Sequence, residues 1–160
     1  MRVLEKWSHA EMSYQTELRN KNRGYMKLIV WQRAMDLFDM TWRMTHGDVQ
    51  IDFKLRSQLV DAAQSVSANI AEGYALGTTT QFVRYLRISL GSAAELGSHL
   101  EVLRRLKLIE DGPVSAAITL CSRVIAMLVG LLRKLGRRST SRFPFPVSRF
   151  SVKSEPEEPS

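Results

Sequence analysis

The chain has 160 residues, 44% of them apolar, and carries a formal net charge of +7. That length supports one domain with a core that needs no metal or disulfide. The single cysteine, Cys121, excludes an internal disulfide framework and a Cys-rich zinc site. A basic balance favours acidic partners, nucleic acid among them. Yet the charge is spread out: five Lys/Arg against three Asp/Glu in residues 1–25, thirteen against ten in 26–136, and five against three in 137–160. The predicted core is only mildly basic.

Three segments follow from composition: a polar N-terminal extension (1–25), a helical domain (26–136) and a Pro- and Ser-rich C-terminal tail (137–160). Both ends are expected to be disordered, apart from a short candidate helix at 9–19. Phe143-Pro144-Phe145-Pro146 reads more readily as plain tail than as a docking motif.

The first strong periodic segment runs from about 27 to 45. Leu28, Trp31, Met35, Phe38 and Trp42 step by three and four, which predicts one apolar stripe facing the core. Gly47 and Asp48 stop it. A second helix is expected over 52–73, with Leu55, Leu59, Ala62, Val66 and Ile70 as its apolar face. Ser65, Asn69 and Glu72 form a polar stripe beside that face, and Gly73 and Gly77 bracket the exit. Thr78 with Gln81 three residues later reads as a capping box for a third helix. Its stripe is Phe82, Leu86, Ala93, Leu96, Leu100 and Leu103. Gly91 and Gly97 interrupt its middle, which predicts that another backbone comes close there, from the same chain or another. Gly112-Pro113 opens a fourth helix. It carries Val114, Ala117, Cys121, Val124, Leu128, Leu131 and Leu135 and ends at Gly136. Residues 114–132 are apolar enough to raise the question of a membrane span, but the interruptions at Ser115, Thr119, Ser122 and Arg123 favour a bundle helix. Four helices with short links predict an all-α, antiparallel up-down four-helix bundle.

No phosphate loop, nucleophile elbow or His-Glu-x-x-His motif is present, so no catalytic residue, metal or cofactor is expected. His9, His46 and His99 lack a histidine partner one turn away. Ser65, Asn69, Glu72 and Gly73, with Gly91, Ser92 and Glu95, are expected to form a structural motif between helices 2 and 3, a polar network that specifies one packing. Arg84, Arg87, Arg104, Arg105, Lys107, Arg133 and Lys134 are the candidates for contact with RNA or DNA phosphates, weighed against an ordinary solvated surface.

Three stretches carry a resemblance: residues 28–34 (LIVWQRA), 65–74 (SVSANIAEGY) and 90–96 (LGSAAEL). In order and spacing they resemble a family of bacterial four-helix-bundle proteins that includes proteins encoded in intervening sequences of large-subunit ribosomal RNA genes. The resemblance covers about residues 26–135. It implies a homopentameric ring and a non-enzymatic role. The lack of an apolar N-terminal signal and the interrupted pattern of helix 4 lead to the expectation of a cytoplasmic location with no membrane partner. Distant relatives are accessory proteins to reverse transcriptases of diversity-generating retroelements, which implies a protein adaptor as the alternative role. Val60 and Asp61 stand where the family usually has basic residues, so nucleic-acid binding through helix 2 is weakened.

Overall fold

The structure is a computed structural model that describes residues 24–47 and 49–136. The expected helix at 9–19 and the tail from 137 lie outside the described residues. A 3-10 turn, Gly24–Lys27, leads into four α-helices: α1 Ile29–His46, α2 Phe53–Ala75, α3 Thr79–Leu106 and α4 Asp111–Gly136. α1 packs on α2 and α4, and α3 packs on α2 and α4, while the diagonal pairs do not approach. With links this short, neighbours run antiparallel around a square, which is the expected up-down bundle.

The local signals act where they were read. Thr78 Oγ1 accepts a hydrogen bond from Gln81 N at 3.2 Å at the start of α3. Asp52 does the same for α2, its carboxylate accepting from Lys54 N at 2.9 Å and Leu55 N at 3.3 Å. Gly77 takes a left-handed φ of 74° just past α2. The α3–α4 link instead places Lys107, with no glycine available, at φ 51°.

The core is built from Leu37 on α1, Leu59, Val66 and Ile70 on α2, Leu86, Leu96, Leu100 and Leu103 on α3, and Val114, Val124, Leu128 and Leu132 on α4. On α2, α3 and α4 this is largely the expected face, except that Leu55, Phe82, Leu131 and Leu135 are half-buried and Leu132 is the last buried leucine of α4. α1 differs. Its buried residues are Val30, Ala34, Leu37, Thr41, Met44 and Thr45. The stripe expected to face the core is rotated about a third of a turn from them, toward the α2 side. Leu28, Trp31 and Phe38 are half-buried there, and Met35 and Trp42 are exposed. The reason is chemical. Thr41 and Thr45 read as polar, but their hydroxyls donate to Leu37 O and Thr41 O, both at 2.8 Å, and so enter the core satisfied by their own helix.

Gly73 also differs from expectation. It lies within α2 rather than at its exit, at a close crossing with α3. A Cβ on Gly73 would sit 2.5 Å from Tyr85 Cβ and 3.3 Å from Phe82 Cδ2 on α3. Of the two glycines on α3, Gly97 would bring a Cβ within 3.6 Å of Cys121 Sγ, an ordinary contact, whereas Gly91 faces open space. Within the protomer, the close approach expected on α3 is made at Gly73 instead.

Candidate functional site

The α2–α3 seam brings several of the sequence-derived motif residues together. Asn69 Nδ2 donates to Ser65 O at 2.7 Å and to Ser65 Oγ at 3.0 Å. Ser65 Oγ lies 2.9 Å from Ser92 Oγ, and Ser92 Oγ donates to Ile88 O at 3.2 Å. The hydroxyls thus form one directed chain from Asn69 through Ser65 and Ser92 to the α3 backbone. One turn deeper, the buried Ser89 Oγ donates to Val66 O at 2.8 Å. Glu72 stands apart from this chain and accepts from Tyr85 Oη at 2.8 Å. That hydrogen bond holds the Tyr85 phenol above its ordinary range. Glu95 is exposed and faces His99 Nε2 at 3.7 Å rather than Ser92. The seam therefore locks two helices in register, and its hydroxyls are engaged with each other and with backbone carbonyls. Ser89 and Tyr85 were not singled out from sequence, because their partners lie 23 and 13 residues away.

Cys121 is buried between α4 and α3, and its thiol donates to Ala93 O at 3.2 Å. Burial pushes the thiol up to about 11, against a smaller opposing pull from the backbone at Gly97. A thiol kept protonated and out of water is a packing group rather than a nucleophile. Among the described residues no group of three or more His, Cys, Asp and Glu could hold a metal ion. A shallow open concavity lies between α1 and the start of α4, lined by Asp36, Asp39, Met40, Arg43 and Pro113. Its Asp39 is already paired with Arg43 at 2.9 Å.

The basic candidates divide between the two ends of the bundle. α1 and α3 begin, and α2 and α4 end, at the same end. Arg84 and Arg87, early in α3, therefore lie at the same end as Arg133 and Lys134, in the last turn of α4, and all four are exposed. Arg104, Arg105 and Lys107 lie at the opposite end. There Glu101 pairs with Arg104 at 2.7 Å and with Arg105 at 3.2 Å, and these two bonds hold the Glu101 carboxyl below its usual range. Val60 and Asp61 are on α2, half-buried and exposed, and add no positive charge.

An all-α bundle of this topology, with a satisfied polar seam and without a metal cluster among the described residues, defines a class of small helical-bundle proteins. Residues 26–130 match the family of 23S rRNA-intervening sequence proteins, and the chain belongs to that family. Its fold is similar to that of a crystal structure of a protein of unknown function from the S23 ribosomal protein family of Bacteroides thetaiotaomicron, at 20% identity and a TM-score of 0.62. That likeness covers 66% of this chain and 99% of the other. No curated protein matches the chain significantly.

Proposed function

We propose that the chain is a non-enzymatic helical scaffold that assembles with itself, as a ring of five copies by its resemblance to the family, and holds RNA or DNA by the phosphates. The observation that carries the nucleic-acid part is the gathering of Arg84, Arg87, Arg133 and Lys134 at one end of the bundle. Among the described residues at that end, Lys27 adds a further positive charge and Glu72, which accepts from Tyr85, a negative one. A ring of identical subunits repeats this cluster and raises the local field well beyond that of one protomer. Point charges on long side chains contact phosphates without reading bases, so binding is expected to be independent of sequence and steeply salt-dependent.

The test compares two double variants by fluorescence anisotropy with a mixed-sequence RNA at low and moderate salt. Arg84→Ala with Arg133→Ala is expected to weaken binding by at least about tenfold at low salt and to flatten the salt dependence. Arg104→Ala with Arg105→Ala, which removes residues already paired with Glu101, is expected to change affinity by less than about threefold. The opposite ranking, or no binding by the wild type at low salt, would refute the basic end as the nucleic-acid surface. The second of these results would favour the protein-adaptor role.

A further inference from the structure

The two halves of the bundle present faces that differ in shape and in charge. The outer face of α1 and α2 carries large apolar side chains that the protomer does not cover. Phe53 is 80% exposed, Trp42 45% and Met35 38%, beside half-buried Trp31 and Phe38. Trp42 is braced, stacked on the His46 ring with centroids 3.7 Å apart and tilted against Phe38 at 6.2 Å. α3 also exposes Ile88, Val102 and Leu106, but these lie toward the α2 side of that helix, and the outer face that α3 shares with α4 is lined by small residues. Gly91, Ala94 and Ser98 on α3 and Ser122, Ala126 and Gly130 on α4 are all exposed, and a Cβ at Gly91 or Gly130 would meet nothing within 4 Å. α4 is also the one described helix apolar and long enough to cross a membrane, with a mean hydropathy of 2.0 over an 18-residue window of which 28% is buried. Its large apolar side chains are buried or half-buried against the core, so what the helix leaves open is its small residues.

Charge follows the same division. Residues 29–75 hold four Lys/Arg and six Asp/Glu, net −2, and residues 79–136 hold eight and four, net +4.

We infer that the α1–α2 face of one copy docks on the α3–α4 face of a second copy, head to tail. The inference rests on the self-assembly part of the reading above and adds which surfaces meet. Trp42, Phe53 and Met35 are knobs, and the glycine, alanine and serine surface of α3 and α4 is where a flat partner face leaves room for them. Like-to-like pairing of two α1–α2 faces would set knob against knob. The crossed pairing joins opposite charges and steers the encounter. An interface between two different surfaces leaves one of each free at every step, so it closes into a ring or continues as a filament.

The experiment is a mixing test on the full chain, read by light scattering after size exclusion. Trp42→Glu with Phe53→Glu disables one face, and Ala94→Arg with Ala126→Arg disables the other. The wild type is expected to run at several times the 18.2 kDa of one chain. Each double variant alone is expected to run as a monomer. Mixed in equal amounts, they are expected to form a species of about twice the chain mass that grows no further, because only one good pair of faces remains. Circular dichroism confirms that each variant keeps its helices. Phe53→Ser and Gly91→Gln, milder changes at the same two faces, replace any that does not. A variant that keeps the wild-type mass overturns the face assignment, and so does a mixture that stays monomeric. A monomeric wild type overturns self-assembly itself, and the face assignment with it.

Discussion

Replacing Gly73 by Ala is expected to destabilise the bundle by about 1–3 kcal/mol, although alanine is the better helix former. The new methyl carbon would sit 2.5 Å from Tyr85 Cβ. That atom is fixed to the α3 backbone and cannot swing aside as a side-chain tip would. Relief requires α2 and α3 to move apart, and those two helices also carry the Asn69–Ser65–Ser92 chain and the Ser89–Val66 hydrogen bond. Separating them weakens the whole seam. For a domain of this size the loss corresponds to a melting temperature lower by roughly 5–15 °C. Gly91→Ala is the control, since the same methyl group there enters open space. It is expected to leave the protomer's stability unchanged or to raise it by up to about 1 kcal/mol through helix propensity. Equal melting temperatures for the two variants, read by circular dichroism, would contradict the close crossing at Gly73.

Leu37→Ala is expected to cost about 2–5 kcal/mol, and Trp42→Ala less than about 1 kcal/mol. On side-chain size alone the order should be reversed, because tryptophan has far more apolar area to lose. Position decides otherwise. Leu37 is fully buried and would leave a cavity among the core leucines, whereas Trp42 is 45% exposed in the protomer. Urea midpoints of the two variants, taken at low protein concentration, report the comparison directly. A larger loss for Trp42→Ala would mean that the stripe of α1 read from sequence does face the core. Head-to-tail docking adds a second expectation for Trp42→Ala, a weakened assembly with little change in protomer stability.

These two cases mark where the sequence was legible. The α2–α3 hairpin could be read because its signals are local. Thr78 caps the helix it precedes, Gly77 takes the left-handed turn, and the Leu and Val positions repeat at helical spacing on the face that is buried. α1 misled because two stripes at helical spacing coexist on it. The more hydrophobic one, from Trp31 to Trp42, flanks the core. The quieter one, Val30, Ala34, Leu37, Thr41 and Met44, fills it. Periodicity ranks stripes by hydrophobicity, and a threonine that satisfies its hydroxyl within its own helix escapes that ranking. An apolar stripe stronger than the core-facing one is itself informative, since monomers seldom leave large contiguous apolar surface uncovered.

The candidate site was legible as a set of residues, less so as a geometry. Ser65, Asn69 and Ser92 do converge, but Glu72 turns to Tyr85 and Glu95 to His99. Whether the Glu72 carboxylate on α2 or the Glu95 carboxylate on α3 reaches across depends on how the two helices are rotated against each other, which no local pattern reports. The basic residues could be counted from sequence but not sorted. Only the antiparallel order of the helices puts Arg84 and Arg87 at the same end as Arg133 and Lys134, and Arg104 and Arg105, at the other end, pair with Glu101.

The central claim is that this chain works as an assembly whose repeated basic ends hold nucleic acid. Light scattering after size exclusion tests it most directly, on the wild type at micromolar concentration, with and without RNA, at low and high salt. A self-assembling electrostatic scaffold predicts a particle several times the 18.2 kDa chain mass that gains RNA at low salt and releases it at high salt. A particle of one chain mass that elutes apart from RNA at every salt concentration would contradict both halves of the claim.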